Sequence, residues 1–177
     1  MKPTTKAYHE AGHAVAAIVL CSGRITTVSI RPNKTFETRG HVLLNHVRLV
    51  EAQNINTPQE EWSEMVLRNT EMHVMIFLAG EAAQRLHSPR SVRLWHSLSD
   101  WEKAMEMLRL VIPEADIHAR STALMQATKE LLQKNWAAVQ AVAALLIERE
   151  ELPGDEVEYV VREIVHGEAN GKVLGRT

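Results

Sequence analysis

Two histidines and a glutamate stand close together in the run His9-Glu10-Ala11-Gly12-His13. Histidines four apart project from one face of a helix, so both imidazoles can reach a common metal ion. A glutamate directly after the first histidine can take a proton from a water that the metal activates. This is the HExxH pattern, and the chemistry it serves is zinc-dependent hydrolysis. Such a site needs three protein ligands and one open position, so a third ligand has to come from elsewhere in the chain. The extension HExxHxxGxxH is absent, because Val19 stands where its third histidine would fall.

Candidates farther along are Glu81, His87, His96, Asp100, Asp116 and His118. Carboxylate and imidazole both serve zinc, so ligand type does not choose among them. Asp100 is set apart by its place in Ser97-Leu98-Ser99-Asp100-Trp101, at the start of a helix, where backbone N–H groups can hold a carboxylate. On spacing alone, an ordinary aspartate of a first helical turn is the simpler reading.

The elements that must position these residues follow from pattern and punctuation. An amphipathic helix is predicted over residues 5–20, with Ala11, Gly12, Ala14, Ala16 and Ala17 small enough to let other backbone approach the ligands. The β-branched alternation of residues 25–31 predicts a strand, ended by Pro32 and Asn33, and residues 40–44 predict its hairpin partner. Thr57-Pro58-Gln59-Glu60 reads as a capping box opening a helix to about His87, with Gly80 a candidate bend. Ser99 with Glu102 marks another start, and Pro113 limits that helix. Helices are predicted over 114–134 and 136–150, then a turn at Pro153-Gly154 and a short helix over 155–166. The fold class is therefore mainly α, one domain over residues 1–166 with a small β-hairpin or sheet near the N-terminus. Residues 167–177 are predicted to be a flexible, glycine-rich tail.

At 177 residues, 45% hydrophobic and 24% charged, the composition fits one globular domain with a substantial core. A formal net charge of −2 with no basic stripe argues against nucleic acid as a partner. The single cysteine, Cys21, excludes an internal disulfide and reads as a small apolar residue closing the first helix. No apolar stretch reaches the length of a membrane span. Polar Lys2, Thr4, Thr5 and Lys6 lead straight into the motif where a signal peptide would be apolar, so a cytoplasmic address is expected.

Tyr8-His9-Glu10-Ala11-Gly12-His13-Ala14-Val15 resembles the zinc helix of the FtsH-type membrane AAA proteases. Four later segments are similar to that family's in the same order. Val28-Ser29-Ile30-Arg31-Pro32, followed by Gly40, resembles its strand pair, and Leu78-Ala79-Gly80-Glu81-Ala82-Ala83 its glycine-alanine helix. Ser99-Asp100-Trp101-Glu102-Lys103-Ala104 resembles the segment that carries its third zinc ligand. The stretch from Leu146 through Pro153-Gly154 to Val157 resembles its C-terminal helix and turn. The resemblance implies a helical zinc-peptidase domain, with zinc held by His9, His13 and Asp100 and with Glu10 as general base. It implies a metallopeptidase that hydrolyses peptide bonds of protein or peptide substrates.

The chain departs from the family in three ways. No GxxxxGK[ST] phosphate loop occurs, so any hydrolysis is expected to be independent of ATP. The family's membrane segments do not occur either. Where the family has two glutamates after the alanine pair, this chain has Gln84 and Arg85, and a carboxylate there could orient a zinc-bound imidazole.

Substrate recognition is expected by strand addition along Gly40, His41, Val42 and Leu43. Trp95 and Trp101 flank Asp100 and read as local core before a side-chain pocket. Arg85, Arg90 and Arg93, with His87 and His96, read as a solvated basic patch, and His41, His46, His73, His118 and His166 show no ligand spacing. Val139, Val142, Leu145 and Leu146 form an apolar stripe for the core or a subunit contact, and no sustained heptad appears, so a monomer or small homo-oligomer is expected. Two alternatives stand beside the peptidase: a weak or inactive zinc-binding regulatory module on the same fold, and a hydrolase of a non-peptide amide.

Overall fold

The computed structural model describes residues 2–21, 25–32, 41–44, 59–91 and 98–174. Among them the chain is mainly helical, with a small antiparallel sheet that begins near the N-terminus. Helix α1 (Pro3–Cys21) is followed by β1 (Ile25–Ser29), β2 (His41–Leu44) and the long α2 (Gln59–His87). A single 3-10 turn (Pro89–Ser91) follows, and then α3 (Leu98–Arg109), α4 (Glu114–Lys134) and α5 (Trp136–Arg149). The short β3 (Glu151–Pro153) leads directly into α6 (Gly154–Leu174).

Helix α1 is the central element. Every residue from His9 to Ile18 is buried, so this stretch has no solvent-exposed face, where the pattern predicted an amphipathic helix. Its side chains are small enough for neighbours to close in on every side: α2, α5 and β1 all pack on it. Gly12 shows how close this is, since a Cβ placed there would lie 2.5 Å from the Ala79 carbonyl oxygen and 2.6 Å from the Ala83 Cβ. The main core joins Ala11, Val15 and Ile18 to Ala79 and Ala83 of α2 and to Val139, Val142 and Leu146 of α5. The apolar stripe of α5 is therefore core. Cys21 closes α1 as a half-buried free thiol packed against that core.

A second cluster lies on the other side of α2, where Val74 and Leu78 meet Ala104 and Leu108 of α3 and Ile117 and Leu124 of α4. Helix α2 thus serves both cores. One face carries the Ala79 and Ala83 contacts to α1, while Val74 and Leu78 turn towards α3 and α4.

The sheet order is β2-β1-β3, antiparallel throughout. The β1–β2 pair is the expected hairpin, but the third strand comes from the far end of the chain. Glu150 ends α5 in a left-handed conformation (φ 64°), and its carbonyl accepts a 2.8 Å hydrogen bond from the Ile30 N–H. Leu152 then pairs with Val28, and both are buried. Three residues are too few to show an alternation, so this strand could not be read from the sequence. Gly154 follows it against the Ile25 carbonyl, leaving no room for a Cβ, and Glu158 of α6 accepts the Ile25 N–H at 3.0 Å.

Helix α3 begins at Leu98, so Ser99 lies inside the helix and is not its cap; Asp100 keeps its place in the first turn. Helix α6 continues past the predicted end at His166 to Leu174. The capping residues Thr57 and Pro58, the loop at 35–39, Gly40, His46, Arg93, Trp95 and His96 lie outside the described residues.

Candidate metal centre

The predicted spacing brings the two imidazoles of α1 together. His9 Nε2 and His13 Nε2 stand 3.1 Å apart with their rings edge to face. From α3, Asp100 Oδ2 approaches to 3.2 Å of His9 Nε2 and 3.5 Å of His13 Nε2. The three atoms form a nearly equilateral triangle. Ligands about 2.0–2.1 Å from a tetrahedral zinc would stand roughly 3.3 Å from one another, so the triangle has the size that such an ion requires. His9, His13 and Asp100 can hold a metal ion, and their donor set of two imidazoles and one carboxylate suits zinc.

Helix α2 forms one wall through an absence. A Cβ on Gly80 would lie 2.6 Å from both His9 Cε1 and His9 Nε2, and it would also press on His13 Nε2. The sequence offered Gly80 only as a bend; its role is to let the α2 backbone pass the imidazole pair. The signal was present in Ala79-Gly80-Glu81-Ala82-Ala83, where a glycine among small residues marks close approach.

The second nitrogen of each ring is treated differently. His13 Nδ1–H donates to the Ile76 carbonyl at 2.7 Å, which fixes the tautomer and leaves Nε2 facing the triangle. His9 Nδ1 is buried and has no hydrogen-bond partner among the described residues. Gln84, where a carboxylate could have served, is fully buried and donates instead to the Ser91 carbonyl at 3.0 Å.

The electrostatics are those of three groups that compete for protons. Burial alone would lower the His13 pKa, but the hydrogen bond and charge of Asp100 outweigh it and raise it to about 9. Burial alone would raise the Asp100 pKa; the His13 and His9 hydrogen bonds dominate and hold its carboxyl well below the usual range. Glu10 is buried beside them. Desolvation pushes its carboxyl up, partly offset by the nearby charges of His9 and His13.

Among the described residues, the remaining candidates for the third ligand lie outside the triangle. Glu81 uses both carboxylate oxygens, one on Arg85 and the other on the Trp101 indole. His87 stacks on Tyr8, with ring centroids 3.6 Å apart. Asp116 and His118 lie exposed on α4, and His96 is outside the described residues. Of the expected basic patch, Arg85 pairs with Glu81 and Arg90 is exposed. Trp101 joins the second core cluster, as expected of local core. Of the expected substrate strand, His41, Val42 and Leu43 fall in β2, on the edge of the sheet, with Val42 half-buried. Among the described residues no helix is long and apolar enough to cross a membrane. Neither a protein-family model nor a curated protein sequence matches this chain, so its likeness to the FtsH-type peptidases rests on the residues quoted from its own sequence.

Proposed function

We propose that the chain is a zinc-dependent metallopeptidase resembling the peptidase domain of the FtsH-type proteases, cutting protein or peptide substrates without ATP. The observation that carries this reading is the triangle of His9, His13 and Asp100 with Glu10 buried beside it. Zinc held there supplies Lewis acidity, polarising a scissile carbonyl and lowering the pKa of water. Glu10 accepts the proton of the attacking water and returns it to the leaving amine. A carboxyl raised by burial suits both steps, because it takes up a proton more readily than an exposed glutamate does. The Ile76 carbonyl orients His13 by accepting its Nδ1–H, and Gly80 leaves room for both imidazoles. An extended substrate would align along β2, where His41, Val42 and Leu43 lie on an edge strand of the sheet among the described residues. A cytoplasmic address and a monomer or small homo-oligomer complete the proposal.

One observation favours the second reading, a weak or inactive zinc-binding regulatory module. His9 Nδ1 lacks a partner among the described residues, and an unoriented imidazole binds metal less firmly. A single assay separates the two: hydrolysis of a labelled, denatured generic protein by the zinc-loaded chain, with and without ATP. The wild type should cut, with no effect of ATP. Glu10→Gln should keep its zinc and lose about 100-fold or more of the rate. Equal rates in the two proteins would remove Glu10 as general base, and a zinc-loaded wild type with no turnover would favour the regulatory module.

A further inference from the structure

Gly80 and Glu81 are consecutive on α2, and Asp100 and Trp101 are consecutive on α3. Gly80 lies against both imidazoles, while Asp100 reaches the same imidazoles from the opposite element. Their neighbours are joined to each other: the Trp101 indole N–H donates to Glu81 Oε2 at 2.5 Å. Two helices therefore meet at the site through two adjacent rungs, one on the imidazoles and one beside them.

We propose that Glu81 is a positioning residue for Asp100, acting through the Trp101 indole. This rests on reading His9, His13 and Asp100 as a metal centre. Successive residues of a helix point about 100° apart, so Asp100 and Trp101 leave the first turn of α3 in different directions. Trp101 packs its ring on the second core cluster, and its N–H is fixed by Glu81. Together these set the rotation of α3 about its own axis, and that rotation sets how far Asp100 Oδ2 stands from the two Nε2 atoms. Asp100 itself is only partly enclosed, with 19% of its side chain exposed, so its own packing does not lock it.

Glu81 is built for this role. Its side chain is buried, and both oxygens are used, Oε1 by Arg85 and Oε2 by Trp101. Burying a carboxylate is costly unless it is paired and hydrogen-bonded, and these two partners supply both. Arg85 is half exposed, so it neutralises Glu81 from the solvent side and leaves the inner oxygen aimed at α3. The sequence raised Glu81 as a candidate third ligand; the structure gives it the neighbour of Asp100 as its partner instead.

The test is a zinc competition titration of the full chain, with the cobalt(II) absorption spectrum as a report on ligand geometry. Trp101→Phe keeps an aromatic ring, smaller than the indole, and removes the donor. Glu81→Leu removes the acceptor, and Glu81→Gln keeps an acceptor without the charge. Trp101→Phe and Glu81→Leu should each weaken zinc about 10- to 100-fold and alter the cobalt spectrum. The double variant should be no weaker than either single one, because both remove the same contact. Glu81→Gln should stay within about threefold of wild type. Overturning results are Trp101→Phe and Glu81→Leu within about twofold of wild type, or Glu81→Gln as weak as Glu81→Leu. A wild type that binds no metal would instead overturn the metal-centre reading itself, and this inference with it.

Discussion

Helices α1 and α2 meet at the site through backbone and small side chains, whereas α3 reaches it through one indole and one carboxylate. On the first side, Gly12 touches Ala79 and Ala83, and Gly80 fits against His9 and His13. Neither helix backbone can withdraw there without breaking the main core. On the second side, Asp100 is partly exposed, and Glu81 and Trp101 hold the turn that carries it. Two of the three candidate ligands are thus set by a core helix, and the third is delivered by an adjustable contact. A metal ion would close the triangle by fixing the side that packing leaves loose.

The difference predicts unequal responses to substitution. His13→Ala should have the largest effect, abolishing zinc binding in equilibrium dialysis, because it removes one of the two preset donors. Gly80→Ala should come next. The added methyl has no room beside either imidazole, so zinc binding should be lost or nearly lost, with a fall in stability of about 1–3 kcal/mol in chemical denaturation. Asp100→Ala should leave the fold intact and weaken zinc by more than about 100-fold, as expected for a direct ligand compared with a supporting group. If Gly80→Ala proves milder than Asp100→Ala, the claim that the α1–α2 side is the rigid one is wrong.

The smallest effect is that of pH on the metal-free chain. The folded-state pKa of His13 is raised to about 9 from 6.5, so its proton stabilises the folded protein fully below about pH 6.5. That contribution is lost as pH rises through about 9. Thermal unfolding of the metal-free protein should therefore show a lower midpoint at the upper end of this interval. Zinc has to displace the same proton, so its apparent affinity should rise over the interval in which stability falls. Asp100, with its pKa lowered, stays ionised throughout.

How much of this could be read in the sequence follows the same division. The histidine pair is local: four residues of helix bring both rings to one face, so the spelling alone carried the geometry. The hairpin and helix order came from periodicity and punctuation, which are also local. Asp100 is a long-range contact across the domain, and spacing could not choose it over five other candidates; only the family resemblance singled it out. The third strand was missed because Glu151-Leu152-Pro153 is too short to alternate, and its pairing with Val28 exists only after α5 has returned the chain. The all-round burial of α1 was missed for another reason. Alanines satisfy an amphipathic pattern and a fully buried one equally, and only the neighbours decide. Glu81 was noticed for its carboxylate but not for its partner, since nothing in a sequence pairs a glutamate with an indole twenty residues away.

The most direct test of the central claim is X-ray absorption at the zinc edge on the zinc-loaded full chain. The account predicts one zinc per chain with nitrogen and oxygen neighbours at about 2.0–2.1 Å, an imidazole signature from two rings, and no sulfur. A chain that takes up no zinc would contradict it. So would a sulfur neighbour at about 2.3 Å, which would put the metal on Cys21 and not on the triangle of His9, His13 and Asp100.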